Sequence, residues 1–162
     1  MFSGRLRYAP LEIENLDAFH SLVQDEHVCR YLLDGKLFPR AWSEERVRDS
    51  QSLFGRRGVG LWRVTDKANE LVGFCGFLEF PSIHPQPQLV YAMPERFTGR
   101  GYATEMARAA IAHARSASGF AEMFASVDAV NVASCRVLEK LGFERVATLQ
   151  GSFGDMYVLR GA

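Results

Sequence analysis

The chain has 162 residues, 48% of them hydrophobic, with 19 basic side chains against 19 acidic ones, which fits one domain able to bury a core. The charges are balanced and no block of one sign occurs, which argues against nucleic acid or an anionic membrane as a partner. No run approaches the about 20 apolar residues of a membrane span, and the start Met1, Phe2, Ser3, Gly4, Arg5 lacks a signal-peptide core, so a cytoplasmic location is expected.

A strand is expected over residues 5–9, where polar and apolar residues alternate. Asn15 is placed to cap a helix whose apolar positions Leu16, Phe19, Leu22 and Val23 follow helical spacing. A second short helix covers 26–33 and stops at Asp34 and Gly35. Residues 38–42, with Phe38 and Trp42, read as a loop. Ser43, Glu44 and Glu45 then open a helix that runs to Phe54, before Gly55.

From Val59 the pattern turns to strands. Those over 59–65 and 71–80 flank the turn formers Asp66, Lys67, Ala68 and Asn69 and make an antiparallel hairpin. The second is apolar from Leu71 to Leu78, the mark of a central strand covered on both faces. Residues 81–87 hold three prolines and read as a loop before a strand over 88–93. Ala103, Met106, Ala107, Ala110, Ile111 and Ala114 then form one face of a helix that stops at Ser118 and Gly119. A strand over 120–128, a helix from its cap Asn131 to Leu141 with Gly142 as terminator, and strands over 143–149 and 153–159 complete the chain. Cys29, Cys75 and Cys135 are odd in number and show no ligand spacing, so they read as reduced thiols and no metal site is expected.

The chemistry concentrates between the strand 88–93 and the helix after it. Pro94 closes the strand, and Arg96, Phe97, Thr98, Gly99, Arg100 and Gly101 lead into the helix. Glycines there let backbone N–H groups approach a ligand, and a helix N-terminus favours negative charge. A Walker A loop would need a lysine after Gly101, and a dinucleotide fingerprint would need glycine where Thr104 stands. The remaining reading is the pyrophosphate loop of an acyl-coenzyme A transferase.

Two segments carry a resemblance to a known family: residues 91–105, which hold this loop, and residues 131–143, from Asn131 to Phe143. With the opening helices and residues 26–33 they resemble the GNAT superfamily of acetyl-coenzyme A-dependent N-acetyltransferases, in its RimJ/RimL-type branch of ribosomal-protein N-terminal acetyltransferases. The resemblance covers nearly the whole chain and implies a single α/β (α+β) domain over 1–162. Its fold would be a mixed, mostly antiparallel seven-stranded sheet with helices on both faces. It also implies a bulge in strand 88–93 that splays it from strand 120–128. Pantetheine, which is built like an extended peptide, would bond to the exposed strand backbone. Met93, Arg96, Phe97, Thr98, Gly99, Arg100, Gly101, Tyr102, Ala103, Thr104, Asn131 and Ser134 would bind acetyl-coenzyme A. The backbone near Met93 would stabilise the oxyanion.

The chain departs from the pattern at one catalytic position. Many family members carry a tyrosine acid seven residues after the helix asparagine, and here that position is Leu138. Ser134, on the same face one turn earlier, is the substitute donor. No carboxylate lies in strand 88–93, where Gln88 is the only long polar residue, so Glu79, Asp128 and Asp155 are the candidate bases. Tyr31, Asp34 and Trp42, with Asp155 opposite, would form an acceptor pocket for a cationic amine. The expected partner is a small-molecule amine or a protein N-terminal peptide, and the reading allows a homodimer. The rival reading is a non-catalytic acyl-coenzyme A-binding module of the same fold.

Overall fold

The computed structural model describes residues 1–161. In chain order the elements are β1 (Leu6–Pro10), α1 (Leu16–Val23), α2 (Glu26–Leu32), α3 (Arg40–Arg57), β2 (Leu61–Asp66), β3 (Leu71–Phe80), β4 (His84–Ala92), α4 (Tyr102–Ser118), β5 (Met123–Asp128), α5 (Val132–Lys140), β6 (Glu144–Gly151) and β7 (Gly154–Gly161). The strands form one seven-stranded sheet in the order β1-β2-β3-β4-β5-β7-β6. Every neighbouring pair is antiparallel except β4 with β5. The expected mixed, mostly antiparallel sheet is therefore present.

Alternation along the strands sends side chains to two cores. On one face Met106, Ala107 and Ala110 of α4 and Leu138 of α5 pack on Cys75, Phe77, Leu89 and Met123. On the other, Leu16, Phe19 and Leu22 of α1, Val28 of α2 and Val47 of α3 pack on Leu61, Phe74 and Leu78. Truncating a core leucine or phenylalanine to alanine costs about 2–5 kcal/mol. The central strands β3 and β4 are thus held from both sides, and they position what is attached to their ends.

Several elements differ from the sequence-based expectation. Asn15 does not cap α1 with its side chain; it ends a 3-10 turn, Ile13–Asn15, and its Oδ1 accepts from Glu12 N–H at 3.2 Å. α3 begins at Arg40, so Trp42 sits in its first turn and not in a loop. Gly55 fails to stop that helix, because the buried face of Val47, Ser50 and Leu53 outweighs the about 1 kcal/mol that a helical glycine costs. The helix ends at Gly58, whose φ of 69° is left-handed. β4 starts at His84 and carries Pro85 and Pro87 inside it. Those prolines lie where the β3–β4 register shifts between Leu78 and Phe80, an irregularity in which missing donors are tolerated. β5 starts at Met123, later than expected. The end of α5 is as read: Gly142 has φ 80°, and Phe143 N–H bonds back to Leu138 O at 3.0 Å.

Candidate active site

Between β4 and β5 the sheet opens. The two strands pair only at Gln88 and Phe124, although β4 continues to Ala92 and β5 to Asp128. Past that pair, the backbone groups they turn toward each other have no ladder, so an extended, amide-bearing chain can lie between them. From Gln88 to Met93 such a slot runs about 17 Å at the rise of a strand. It opens at the carboxyl ends of the strands, where α/β sheets commonly hold ligands.

The open end is closed off by the glycine loop. The chain passes through Met93 and Pro94, makes the 3-10 turn Glu95–Phe97 and enters α4 through Gly99 and Gly101, with φ of 72° and 77°. A residue with a Cβ would carry about 1–2 kcal/mol of strain in that conformation. Glu105 N–H is the first to donate along α4, to Gly101 O at 3.1 Å, so the helix leaves the N–H groups of Tyr102, Ala103 and Thr104 without a partner. These donors and the dipole of a 17-residue helix make an anion site. Arg96 and Arg100 lie 4.7 and 6.0 Å from the Phe97 ring and add positive charge. Met93 and Phe97 themselves are buried in the core, so they serve the site through their backbone. Thr98 Oγ1 donates to Glu95 O at 2.8 Å and holds the turn. N–H donors, guanidinium groups and a glycine surface at which a Gly99 Cβ would meet nothing within 4 Å fit a pyrophosphate.

A brace for this loop comes from Arg5, which the sequence reading did not single out. Arg5 Nη1 donates to Arg100 O at 3.0 Å, and its guanidinium lies 4.3 Å from the Tyr102 ring. Its backbone N–H and Nε, with Ser3 Oγ, hold the Glu105 carboxylate at 2.8 Å each. The one acid of the first helical turn is thereby turned away from the anion site. Burial works against the Glu105 charge, yet these hydrogen bonds and the Arg5 charge outweigh it, and the carboxyl titrates below its usual range. A depressed carboxyl stabilises above its unfolded pKa of about 4.3 and loses that contribution as pH falls through the folded value. We therefore expect Glu105→Gln to lower the melting temperature at pH 7, with the gap to the parent narrowing below about pH 4.

Across the slot stand two hydroxyls. Asn131 caps α5 by accepting from Ser134 N–H at 3.1 Å, which aims Ser134 at β4. There Ser134 Oγ and the Tyr91 hydroxyl lie 2.6 Å apart. Burial pushes the Tyr91 phenol well up, against the opposing effect of that hydrogen bond. Leu138, where the family tyrosine was sought, is buried in the core. Tyr91 was legible only as strand alternation, since Leu89, Tyr91 and Met93 share the face that packs on α4 and α5.

The opposite rim is acidic. Ser152 Oγ, in the turn between β6 and β7, donates to Asp34 Oδ2 at 2.6 Å. A Cβ on Gly35 would lie 3.9 Å from the Phe153 ring, and one on Gly151 would lie 3.0 Å from Asp128 Oδ1. The α2–α3 loop, the β6–β7 turn and the end of β5 therefore meet. Burial first, and then the charge of Asp34, raise the Asp128 carboxyl above its ordinary value.

Of the other expected acceptor residues, Asp155 borders this rim through its backbone, and Tyr31 and Trp42 lie elsewhere. Tyr31 is half exposed and packs edge-on against His27 at 5.0 Å. Trp42 stacks on Phe38 at 4.6 Å and lines an apolar cavity on the α1–α3 face. Asp155 opposes Gln150 and accepts Ala129 N–H with its carbonyl at 2.8 Å. Asp155 shares a strand face with Tyr157 and Leu159, which pack on the α4–α5 side. Glu79 is held by Arg56 at 2.9 Å, one residue past the Leu78 that opposes Gln88, far from the glycine loop.

A family model described as an acetyltransferase (GNAT) domain matches residues 5–144. The protein YkkB of Bacillus subtilis (strain 168) is 33% identical over 137 residues, covering 82% of this chain and 77% of that protein. Among solved structures, RimL, a ribosomal L7/L12 alpha-N-protein acetyltransferase in complex with coenzyme A, superposes with a TM-score of 0.81 at 17% identity, covering 98% of this chain and 94% of that one. Spermidine N-acetyltransferase from Vibrio cholerae, in complex with coenzyme A and spermine, gives 0.80 at 16% identity, covering 98% and 96%. At such identities the likeness is one of fold.

Proposed function

Because the chain belongs to the GNAT acetyltransferase family, we propose that it transfers the acetyl group of acetyl-coenzyme A directly to a primary amine. The observation that carries this reading is the slot between β4 and β5 with an anion-binding loop at its open end. Pyrophosphate at Gly99 to Thr104 and pantetheine along β4 bring the thioester into the slot, within reach of Tyr91 and Ser134. RimL acts on a protein N-terminus and the Vibrio enzyme on spermidine by name, so both peptide and small-molecule amines belong to the acceptor class considered.

Acetyl-coenzyme A supplies the activated acyl carbon and a thiolate leaving group. An amine must lose its proton before it attacks. Asp128, on the acidic rim beside Asp34, takes that proton from the entering ammonium and passes it to solvent. The nitrogen bonds to the acyl carbon, the carbon–sulfur bond breaks, and the nitrogen gives up its second proton to water as the amide forms. Backbone N–H groups of β4 near Met93 are the donors for the oxygen that becomes negative. The Tyr91–Ser134 pair, in which one hydroxyl donates to the other, offers its remaining proton as a hydrogen bond to the thiolate. A phenol raised so far is a weaker acid than a thiol of pKa about 8.5, so the pair stabilises the thiolate and solvent supplies its proton. Direct transfer agrees with the cysteines: Cys75 is fully buried, and burial followed by the Glu139 charge raises the Cys135 thiol, so neither is an activated nucleophile.

Hydrogen bonds to a charged group contribute about 1.5–3 kcal/mol, on the order of 10- to 100-fold in rate. Tyr91→Phe is expected to lower turnover by that factor and to leave the Michaelis constant for acetyl-coenzyme A within about twofold. Ser134→Ala should follow it in direction. If both leave turnover unchanged, the hydroxyl pair is structural. The proposal as a whole is tested by thiol release from acetyl-coenzyme A with and without a primary amine. Coenzyme A binding with no amine-dependent release would leave the non-catalytic module.

A further inference from the structure

On the α1–α3 face of the sheet, against β4, lies a cavity of about 70 Å³ walled by Phe19, Trp42, Phe74, Phe80, Val90 and Ala92. With water occupying about 30 Å³, this is room for roughly two or three methyl-sized groups. No carboxylate lines it, and its one charged wall residue is Arg46, whose Nη2 is already paired with Glu45 and Asp49 at 3.0 and 2.9 Å and whose Nε is buried without a partner among the described residues. A second cationic centre on a ligand is therefore disfavoured there.

Beside it is an unused acceptor. Gln88 is 1% exposed and sits at the pair where β4 and β5 part. Its Nε2 donates to Phe80 O at 3.3 Å, which fixes which end of the amide is oxygen. Its Oε1 is buried with no hydrogen-bond partner. Leu78, opposite Gln88 in the ladder, and Phe80 both line the cavity. A buried acceptor left open at the inner end of a ligand slot calls for a donor from the ligand.

We propose that the acceptor is an amine bearing one compact, branched apolar group that fills this cavity, and that Gln88 Oε1 accepts a hydrogen bond from its nitrogen. This rests on the transferase reading above. The amine nitrogen is then held at the inner end of the slot with an N–H on Gln88, leaving its lone pair for the acyl carbon. Ethylamine is too small to fill the cavity, and spermidine would bring a charge into an apolar lining that offers it no carboxylate.

The test is a comparison of kcat/KM for isobutylamine, a peptide beginning with valine, ethylamine and spermidine. Isobutylamine or the valyl peptide should exceed ethylamine and spermidine on the order of tenfold or more, the effect of burying two further methylene-sized groups. The ratio of the two leading probes tells a small-molecule acceptor from a protein N-terminus. Ethylamine or spermidine used as well or better would overturn the cavity assignment and leave the transferase reading standing. No turnover with any amine would contradict both. Gln88→Leu should lower kcat/KM for the amine about tenfold or more with the Michaelis constant for acetyl-coenzyme A unchanged, and Gln88→Asn, which keeps both an amide oxygen and a donor, should recover part of it. Equal losses in the two variants, or none, would remove Gln88 from amine binding. If Gln88→Leu does not fold, Ala92→Leu decides by narrowing the cavity: the preference for isobutylamine over ethylamine should collapse, and its persistence would overturn the proposal.

Discussion

Gly101→Glu is expected to abolish coenzyme A binding while leaving the fold in place. Gly101 is exposed and left-handed, and the nearest atom to a Cβ built there is Arg5 Nη2 at 3.7 Å, so a side chain meets no backbone. The cost to the fold is about 1–2 kcal/mol of strain, partly offset because an acidic group is favoured at a helix N-terminus. The cost to the ligand is much larger. A carboxylate at Gly101 can take the donors that a pyrophosphate would use and repels the phosphate as well. Calorimetry should show affinity weakened by about 100-fold or more, with the melting temperature reduced only by the strain. Gly101→Ala separates the two effects, since it carries the strain without the charge and should retain most of the affinity. A folded Gly101→Glu variant that binds coenzyme A like the parent would refute the loop assignment.

Asp128→Asn should be the most damaging single change to turnover that spares the cofactor. Its carboxyl is held up by burial and by Asp34, and it stands where the α2–α3 loop and the β6–β7 turn meet the end of β5. General-base contributions are typically about 100-fold or more. We expect kcat/KM for the amine to fall by about that factor at pH 7, with the Michaelis constant for acetyl-coenzyme A unchanged. The deficit should shrink as pH rises toward the amine pKa, because solution then supplies neutral amine without help from a base. In the parent, activity should be lost as pH falls through the raised Asp128 pKa, where the carboxylate is protonated and can no longer accept. A deficit that is constant across pH would make Asp128 a binding residue and not a proton acceptor.

Local signals made the glycine loop legible before any fold was known. Gly99 and Gly101 are needed where the backbone is left-handed, and the apolar stripe from Ala103 to Ala114 announced α4. Asn131 and Gly142 bounded the last helix for equally local reasons. What escaped depends on contacts distant in sequence. Tyr91 meets Ser134 only because β4 and α5 are brought together across the slot, and Arg5 reaches Glu105 from the other end of the chain. The prolines at 85 and 87 argued for a loop by their missing donors, yet a register shift in the β3–β4 pair accommodates them. The acceptor side was read as one pocket. The fold instead puts Asp34 and Asp128 on a rim, Trp42 in an apolar cavity, and Tyr31 on the surface.

The central claim, direct acetyl transfer from coenzyme A to an amine in the β4–β5 slot, is met most directly by a single-turnover experiment. The protein is mixed in excess with carbon-labelled acetyl-coenzyme A and, in separate runs, isobutylamine, a peptide beginning with valine, ethylamine or spermidine, then quenched at intervals and analysed by mass spectrometry. The account predicts labelled N-acetylamine rising in step with free coenzyme A, one for one, with no labelled acetyl mass added to the protein at any time. Acetyl-coenzyme A that binds and is recovered intact with every one of these amines, or label that accumulates on the protein before it appears on the amine, would contradict it.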